Sequence, residues 1–173
     1  MTAPEALGTA DLLVRAATLD LRTVHPADPA ATTAVQAYFA ELDERFPGGF
    51  DPGDAPDVTS MAPGAGAFVV GTSDGEPVAC GGVQTIARGV GEIKRMWVHG
   101  DWRGAGLGSR LLRHLEQVSA ELGHTVVRLD TNATLTEAIT MYERAGYRSI
   151  ERYNDNPYAQ AFFEKDLPPL TEG

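Results

Sequence analysis

One cysteine, Cys80, stands in the 173 residues, which excludes an internal disulfide and any cysteine-built metal cluster. His25, His99, His114 and His124 lack metal-ligand spacing, so no metal is expected. No apolar run is long enough to cross a bilayer, and Met1 to Ala10 lack a basic stretch followed by an apolar one. The expectation is a cytoplasmic protein with no membrane partner. Positive charge is also scarce: 14 Lys and Arg stand against 24 Asp and Glu, a formal net charge of −10. That balance argues against nucleic acid as a partner. The 43% hydrophobic fraction fits a folded chain of one domain, 1–173, with a core over about 19–167 between short flexible tails.

The charge is unevenly placed. Residues 1–60 hold three basic against ten acidic side chains, whereas residues 88–113 hold six (Arg88, Lys94, Arg95, Arg103, Arg110, Arg113) against Glu92 and Asp101. The basic stretch coincides with a glycine-rich loop, Arg103-Gly104-Ala105-Gly106-Leu107-Gly108, and His99 reads as part of its basic rim.

Leu19 to Val24 reads as a strand. Asp28-Pro29 opens a helix whose apolar positions run from Val35 to Phe46, and Pro47 to Gly66 is a long loop. Ala67 to Gly71 and Val78 to Ile86 flank Ser73-Asp74-Gly75, a hairpin signal, and Glu92 to Val98 is a third strand in succession. The glycine loop leads into a helix with an apolar stripe from Leu107 to Leu122, ended by Gly123. Thr125 to Leu129 is a strand. Thr134 and Glu137 fit a capping box for a last helix, which stops at Gly146. Two strands, near Tyr147–Tyr153 and Ala161–Lys165, flank an Asn-Asp-Asn-Pro turn. This order predicts an α+β domain with a mixed sheet.

A strand, a glycine turn and a helix N-terminus make a site for an anion, because the first helix amides lack partners and carry the positive end of the dipole. A P-loop needs Lys-Ser/Thr after its last glycine, but Ser109-Arg110 follows here. A dinucleotide fingerprint needs a third glycine where Ser109 stands, and an opening βαβ unit rather than a meander. An unliganded β-to-α turn is the plain alternative.

At this point the chain resembles the GCN5-related N-acetyltransferase family, and in particular its small bacterial single-domain members. The family hallmark, Arg/Gln-x-x-Gly-x-Gly/Ala after the fourth strand, is matched by Arg103, Gly106 and Gly108. The segment Ala138 to Tyr147 resembles the second family signature. The resemblance implies a GNAT-like three-layer domain with a mostly antiparallel central sheet flanked by helices. It implies acetyl-CoA as co-substrate, with its pyrophosphate on the amides of Gly104, Ala105, Gly106, Leu107, Gly108 and Ser109. The pantetheine arm would then hydrogen-bond the backbone of Met96 and Val98. Asn132 matches a residue that helps hold the cofactor, although Leu135 stands where many relatives have a second Asn. The resemblance leaves the oligomeric state open, homodimers being common in the family.

Acetyl transfer to an amine needs a neutral amine and a protonated thiolate leaving group. A lysine-type amine with a pKa of about 10.4 is less than ~0.1% neutral at pH 7, so a general base helps it greatly. Glu92 matches the fourth-strand position where some relatives carry a catalytic glutamate; the plain alternative is an ion pair with Lys94 or a nearby Arg. Strand alternation puts Glu92 on one face with Lys94, Met96 and Val98. Tyr142 matches the tyrosine that protonates the thiolate in relatives, and lies equally on an apolar stripe with Leu135 and Ile139. A backbone amide near Met96 or Trp97 would polarise the carbonyl. Cys80, in an apolar strand, reads as a small buried residue rather than a nucleophile.

The acceptor is expected to be a small-molecule amine. Glu41, Asp43, Glu44, Asp51, Asp54 and Asp57 form an acidic region that can attract a cation or simply be a solvated helix end and loop. A protein N-terminus or lysine as acceptor, and a non-catalytic acyl-CoA-binding module, are the alternatives.

Overall fold

The computed structural model describes residues 8–53 and 58–170. Strand β1 (Leu21–Val24) is followed by helix α2 (Pro29–Arg45) and a 3-10 turn at Val58–Met61. The meander is β2 (Gly66–Ser73), β3 (Glu76–Ala87) and β4 (Val90–Val98); then come α3 (Leu107–Glu121), β5 (Val126–Thr131), α4 (Thr136–Arg144), β6 (Arg148–Ile150) and β7 (Ala161–Asp166). One helix was not expected: α1, Thr9–Thr18, occupies part of the anticipated N-terminal tail. Ala16 is buried in the core, and its carbonyl accepts from Arg110 Nη1 at 3.2 Å.

The seven strands form one sheet in the order β1-β2-β3-β4-β5-β7-β6. All neighbours are antiparallel except β4 and β5. This confirms the α+β class and the mixed, mostly antiparallel sheet. Helix α3 covers one face, packing Leu107, Leu111, Leu112 and Leu115 against Val69, Ala79, Val83 and Ile93. Each such side chain contributes about 1.5–3 kcal/mol by leaving water. Helix α2 covers the other face through Ala31 and Ala34, against Phe68, Val70, Cys80 and Trp97.

Local signals had mixed success. Asp28 caps α2, its Oδ1 accepting from Ala30 N at 3.0 Å, with Pro29 in the first turn. Asp74 and Gly75 both have positive φ, as a two-residue hairpin turn requires. The Thr134–Glu137 capping box does not form. Helix α4 starts at Thr136 with no side-chain cap, Thr134 hydrogen-bonds Asn132, and Glu137 pairs with Arg45. The strand expected over Tyr147–Tyr153 shrinks to β6, because the chain beyond Ile150 leaves the sheet and turns its side chains towards β4 and β5.

Candidate active site

The parallel ladder between β4 and β5 ends early. Its register runs Val90↔Val126, Gly91↔Val127 and Glu92↔Arg128, and stops there. Residues 93–98 thus have no ladder partner on the β5 side. An irregularity in the pairing with β3 lies at the same place: Lys94 opposes Gly82 and Trp97 opposes Cys80, so Arg95 and Met96 together face Gly81. This is a β-bulge, and Arg95 sits in it with φ 54°. A bulky residue at positive φ costs on the order of 1 kcal/mol or more.

The bulge corrects the expected alternation. Glu92 and Lys94 point to the α2 face, where Glu92 meets Gln84, whereas Met96 and Val98 pack with the α3-side core. Glu92 therefore does not share a face with Met96 and Val98.

Two cavities flank the parting strands. The larger, about 500 Å³, is lined by Tyr38, Phe39, Phe46 and Phe50, by Lys94 and Arg95, by Asp130 and Asn132, and by Tyr158. The smaller, about 400 Å³, is lined by Met96, Trp97, Val98, Arg103, Gly104, Gly106, Gly108 and Ser109 together with Glu41, Arg45 and Glu137. Tyr38, Leu42, Met96, Leu135, Ala138 and Tyr142 line both, so the cavities meet there.

The glycine loop has the expected form. Gly104 and Gly106 take φ of 82° and 84°, a region that side chains disfavour. Gly106 is the N-cap of α3 and no side chain caps the helix, so its first amides keep their capacity for an anion. The basic stretch, however, does not converge on the loop. Arg110 reaches α1 and Arg95 lines the larger cavity. His99 Nδ1 accepts from Asp101 N at 3.1 Å, so His99 caps a turn rather than forming a basic rim. Arg103 does line the smaller cavity, but its Nη2 binds both oxygens of Glu41 and its Nε donates to the Val98 carbonyl.

Tyr142 is 7% exposed, with its ring against Tyr147 and Phe163, and among the described residues nothing hydrogen-bonds its hydroxyl. Burial foremost, then the charge of Asp130, pushes its pKa up from the ordinary tyrosine value. Burial likewise raises that of Tyr38, with Tyr142 the next cause.

Glu92 is 3% exposed and lines neither cavity. Its carboxylate accepts from Gln84 Nε2 at 2.7 Å, Tyr153 Oη at 2.7 Å and Asn154 Nδ2 at 3.4 Å, with Lys94 Nζ at 3.6 Å. Asp130, which the sequence reading passed over, is a carboxylate on the larger cavity. It accepts from Asn154 Nδ2 at 2.6 Å and Asn156 Nδ2 at 3.3 Å. Asn154 thus bridges the two acids. The Asn-Asp-Asn-Pro segment was the available signal, but a single acid at a strand end carries no mark of what will face it.

Asn132 lines the larger cavity rather than the smaller. Its Nδ2 donates to the Tyr158 carbonyl at 2.7 Å and its Oδ1 accepts from Thr134 N and Oγ1. Of the acidic region, Asp51 lines the larger cavity, Glu41 pairs with Arg103, and Asp43 accepts from Phe50 N. Asp54 and Asp57 lie outside the described residues. Cys80 is fully buried, its thiol donates to the Arg95 carbonyl at 3.3 Å, and burial pushes its pKa up to about 12. A thiol so held is no nucleophile.

Residues 35–147 match the model of the acetyltransferase (GNAT) family. An IAA acetyltransferase of Azospirillum brasilense is 30% identical over 78% of this chain and 91% of its own. An uncharacterized N-acetyltransferase of Schizosaccharomyces pombe is 38% identical over 38% of this chain, which spans 40% of that protein's length. Among solved structures, a GNAT-family acetyltransferase from Staphylococcus aureus superposes with a TM-score of 0.72 at 16% identity, covering 86% and 100% of the two chains. The yncA structure from Salmonella typhimurium, with its cofactor acetyl-CoA, gives 0.64 at 15% identity, covering 90% and 98%. No helix among the described residues is long and apolar enough to cross a membrane.

Proposed function

Because the chain belongs to the GNAT acetyltransferase family, a family of acyl-transferring enzymes that use acetyl-CoA, we propose that it acetylates a primary amine of a small molecule by direct attack. One observation carries this reading: the two cavities adjoin at Tyr142, where β4 and β5 part. The smaller cavity suits acetyl-CoA. Its wall combines an uncapped helix N-terminus and two positive-φ glycines with the β4 edge at Met96–Val98, which has no ladder partner on the β5 side. Loop amides from Gly104 to Ser109 would hold the pyrophosphate, and the β4 backbone the pantetheine. Asn132, committed on both sides of its amide, is better placed to hold Tyr158 than a cofactor.

Acetyl-CoA supplies the acetyl group and a thiolate leaving group. Asp130 faces the larger cavity and would take the proton that the amine gives up as its nitrogen bonds the carbonyl carbon. A backbone amide of Met96 or Trp97 would polarise the carbonyl. The Tyr142 hydroxyl, kept protonated by burial, would give its proton to the sulfur as the C–S bond breaks. Glu92 would act through Asn154, fixing the amide that holds Asp130. Phe50, Asp51, Pro52 and Gly53 line the larger cavity, whose volume of about 500 Å³ suits a small acceptor.

Isothermal titration with acetyl-CoA and a thiol-release assay over an amine panel test the proposal. Binding with release on at least one small amine is expected; absence of binding removes the acetyl-CoA reading. Release with peptides alone would replace the small-molecule acceptor.

A further inference from the structure

Resting on that acetyl-transfer reading, we infer that the acceptor carries a carboxylate as well as its amine, and that the Arg95 guanidinium binds it beside an aromatic wall. The larger cavity has charge of both signs. Asp130 and Asp51 give it anionic character, while Lys94 and Arg95 line it as cations. Lys94 already faces Glu92 at 3.6 Å. Arg95 has no acid within ion-pairing distance among the described residues. The guanidinium carbon lies 5.9 Å from the centroid of the Phe39 ring.

A cation held at a cavity wall, partly stripped of water and without a counter-ion among the described residues, calls for an anion from the ligand. Burial accordingly lowers the Arg95 pKa from its ordinary value, with the nearby Cys80 and Tyr38 working the other way. The backbone adds an independent sign. Arg95 takes φ 54° in the bulge where β4 leaves β5, a conformation that a bulky residue keeps only where the surroundings impose it. The remaining wall is apolar: Phe39, Phe46, Phe50 and Tyr158 form a connected ring cluster, with Phe50 and Tyr158 centroids 4.8 Å apart. A plain polyamine would leave Arg95 unmatched and set a cation beside it. A zwitterion with an apolar or aromatic body, as in an amino acid of that type, matches Asp130, Arg95 and the rings together.

The test compares pairs of amines that differ only in the carboxylate, L-phenylalanine with phenethylamine and L-leucine with isoamylamine, at saturating acetyl-CoA. Wild type is expected to favour the carboxylate member of a pair by about 10–100-fold in kcat/KM, the range of a charged hydrogen-bonded contact. Arg95→Gln should bring that ratio close to one through KM, with the acetyl-CoA dissociation constant unchanged by calorimetry. Arg95→Lys should recover part of the preference, and a thermal melt of each variant establishes that it is folded. Equal use of both members by wild type, or a preference that survives Arg95→Gln but falls in Lys94→Gln, overturns the inference. Silence on every pair while acetyl-CoA still binds overturns it alone. Failure to bind acetyl-CoA overturns the transfer reading beneath it.

Discussion

Tyr142 combines a packed ring with a place on the wall of both cavities, and the two properties work together. The same burial that raises its pKa keeps the hydroxyl a proton donor throughout the range in which amine acceptors are assayed. Tyr142→Phe removes the donor and keeps the ring. We expect kcat to fall by at least about 100-fold with the acetyl-CoA dissociation constant unchanged; an unaltered kcat removes Tyr142 from the chemistry. Asp130→Asn should lower kcat for a high-pKa amine far more than for one that is already largely neutral at the assay pH. Equal losses for both would mean that Asp130 positions rather than accepts a proton. Cys80 gives the converse case. Sealed from solvent and with its pKa near 12, it should resist an aromatic disulfide reagent at pH 8 in the native protein and react only after unfolding.

At the scale of elements, three separate parts of the chain are tied across the smaller cavity by charge. Arg103, before α3, holds Glu41 of α2; Arg45, one turn further along α2, holds Glu137 of α4. Both ties are partly exposed, so each contributes about 0–1 kcal/mol to stability. Their effect on ligand binding is larger, because Glu41 competes for the one guanidinium that the loop offers to phosphate. Glu41→Gln should therefore tighten acetyl-CoA by a few-fold in calorimetry, with little change in the melting temperature. Weaker binding would show that Glu41 orients Arg103 instead of occupying it. These ties also mark what the sequence could not announce. Asp28-Pro29 and Asp74-Gly75 act within a few residues of themselves, so spacing reveals them. Glu137 stood at capping-box spacing from Thr134, yet Arg45, more than ninety positions earlier, binds it instead. The bulge at Arg95 was equally hidden, since nothing in the composition of Ile93 to Val98 says where β4 must part from β5. The glycine loop and Tyr142 were legible because their residue types and spacing form a motif, whereas Asp130 acquires its place only through Asn154 and Asn156.

For the molecule as a whole, the junction of β4 and β5 divides a sealed half from an open one. On the sealed side His124 is 5% exposed and joins Thr85 of β3 to Ser119 of α3, at 2.8 and 2.6 Å, packed against Gly91 of β4. Burial lowers the pKa of His124, and with Arg110 that of His114, below the ordinary histidine value. The folded chain then binds fewer protons than the unfolded one, so this contribution is fully present above about pH 6.5 and is lost as pH falls below it. Denaturant midpoints should drop between pH 7 and 5, and His124→Gln should flatten that slope; an unchanged slope assigns the loss to carboxylates. On the open side β4 beyond Glu92 lacks ladder partners towards β5, and a ligand lying there would complete the sheet. Acetyl-CoA at 100 times its dissociation constant adds about 2.7 kcal/mol of stability by mass action. For a chain of this length that raises the melting temperature by about 5–10 °C. The gain should also be localised. Hydrogen exchange is expected to slow at residues 93–98 and 104–109 and to stay unchanged at the β1–β2 edge, which is already paired. Uniform protection, or none in β4, would mean that the ligand stabilises the fold without entering the gap between the strands.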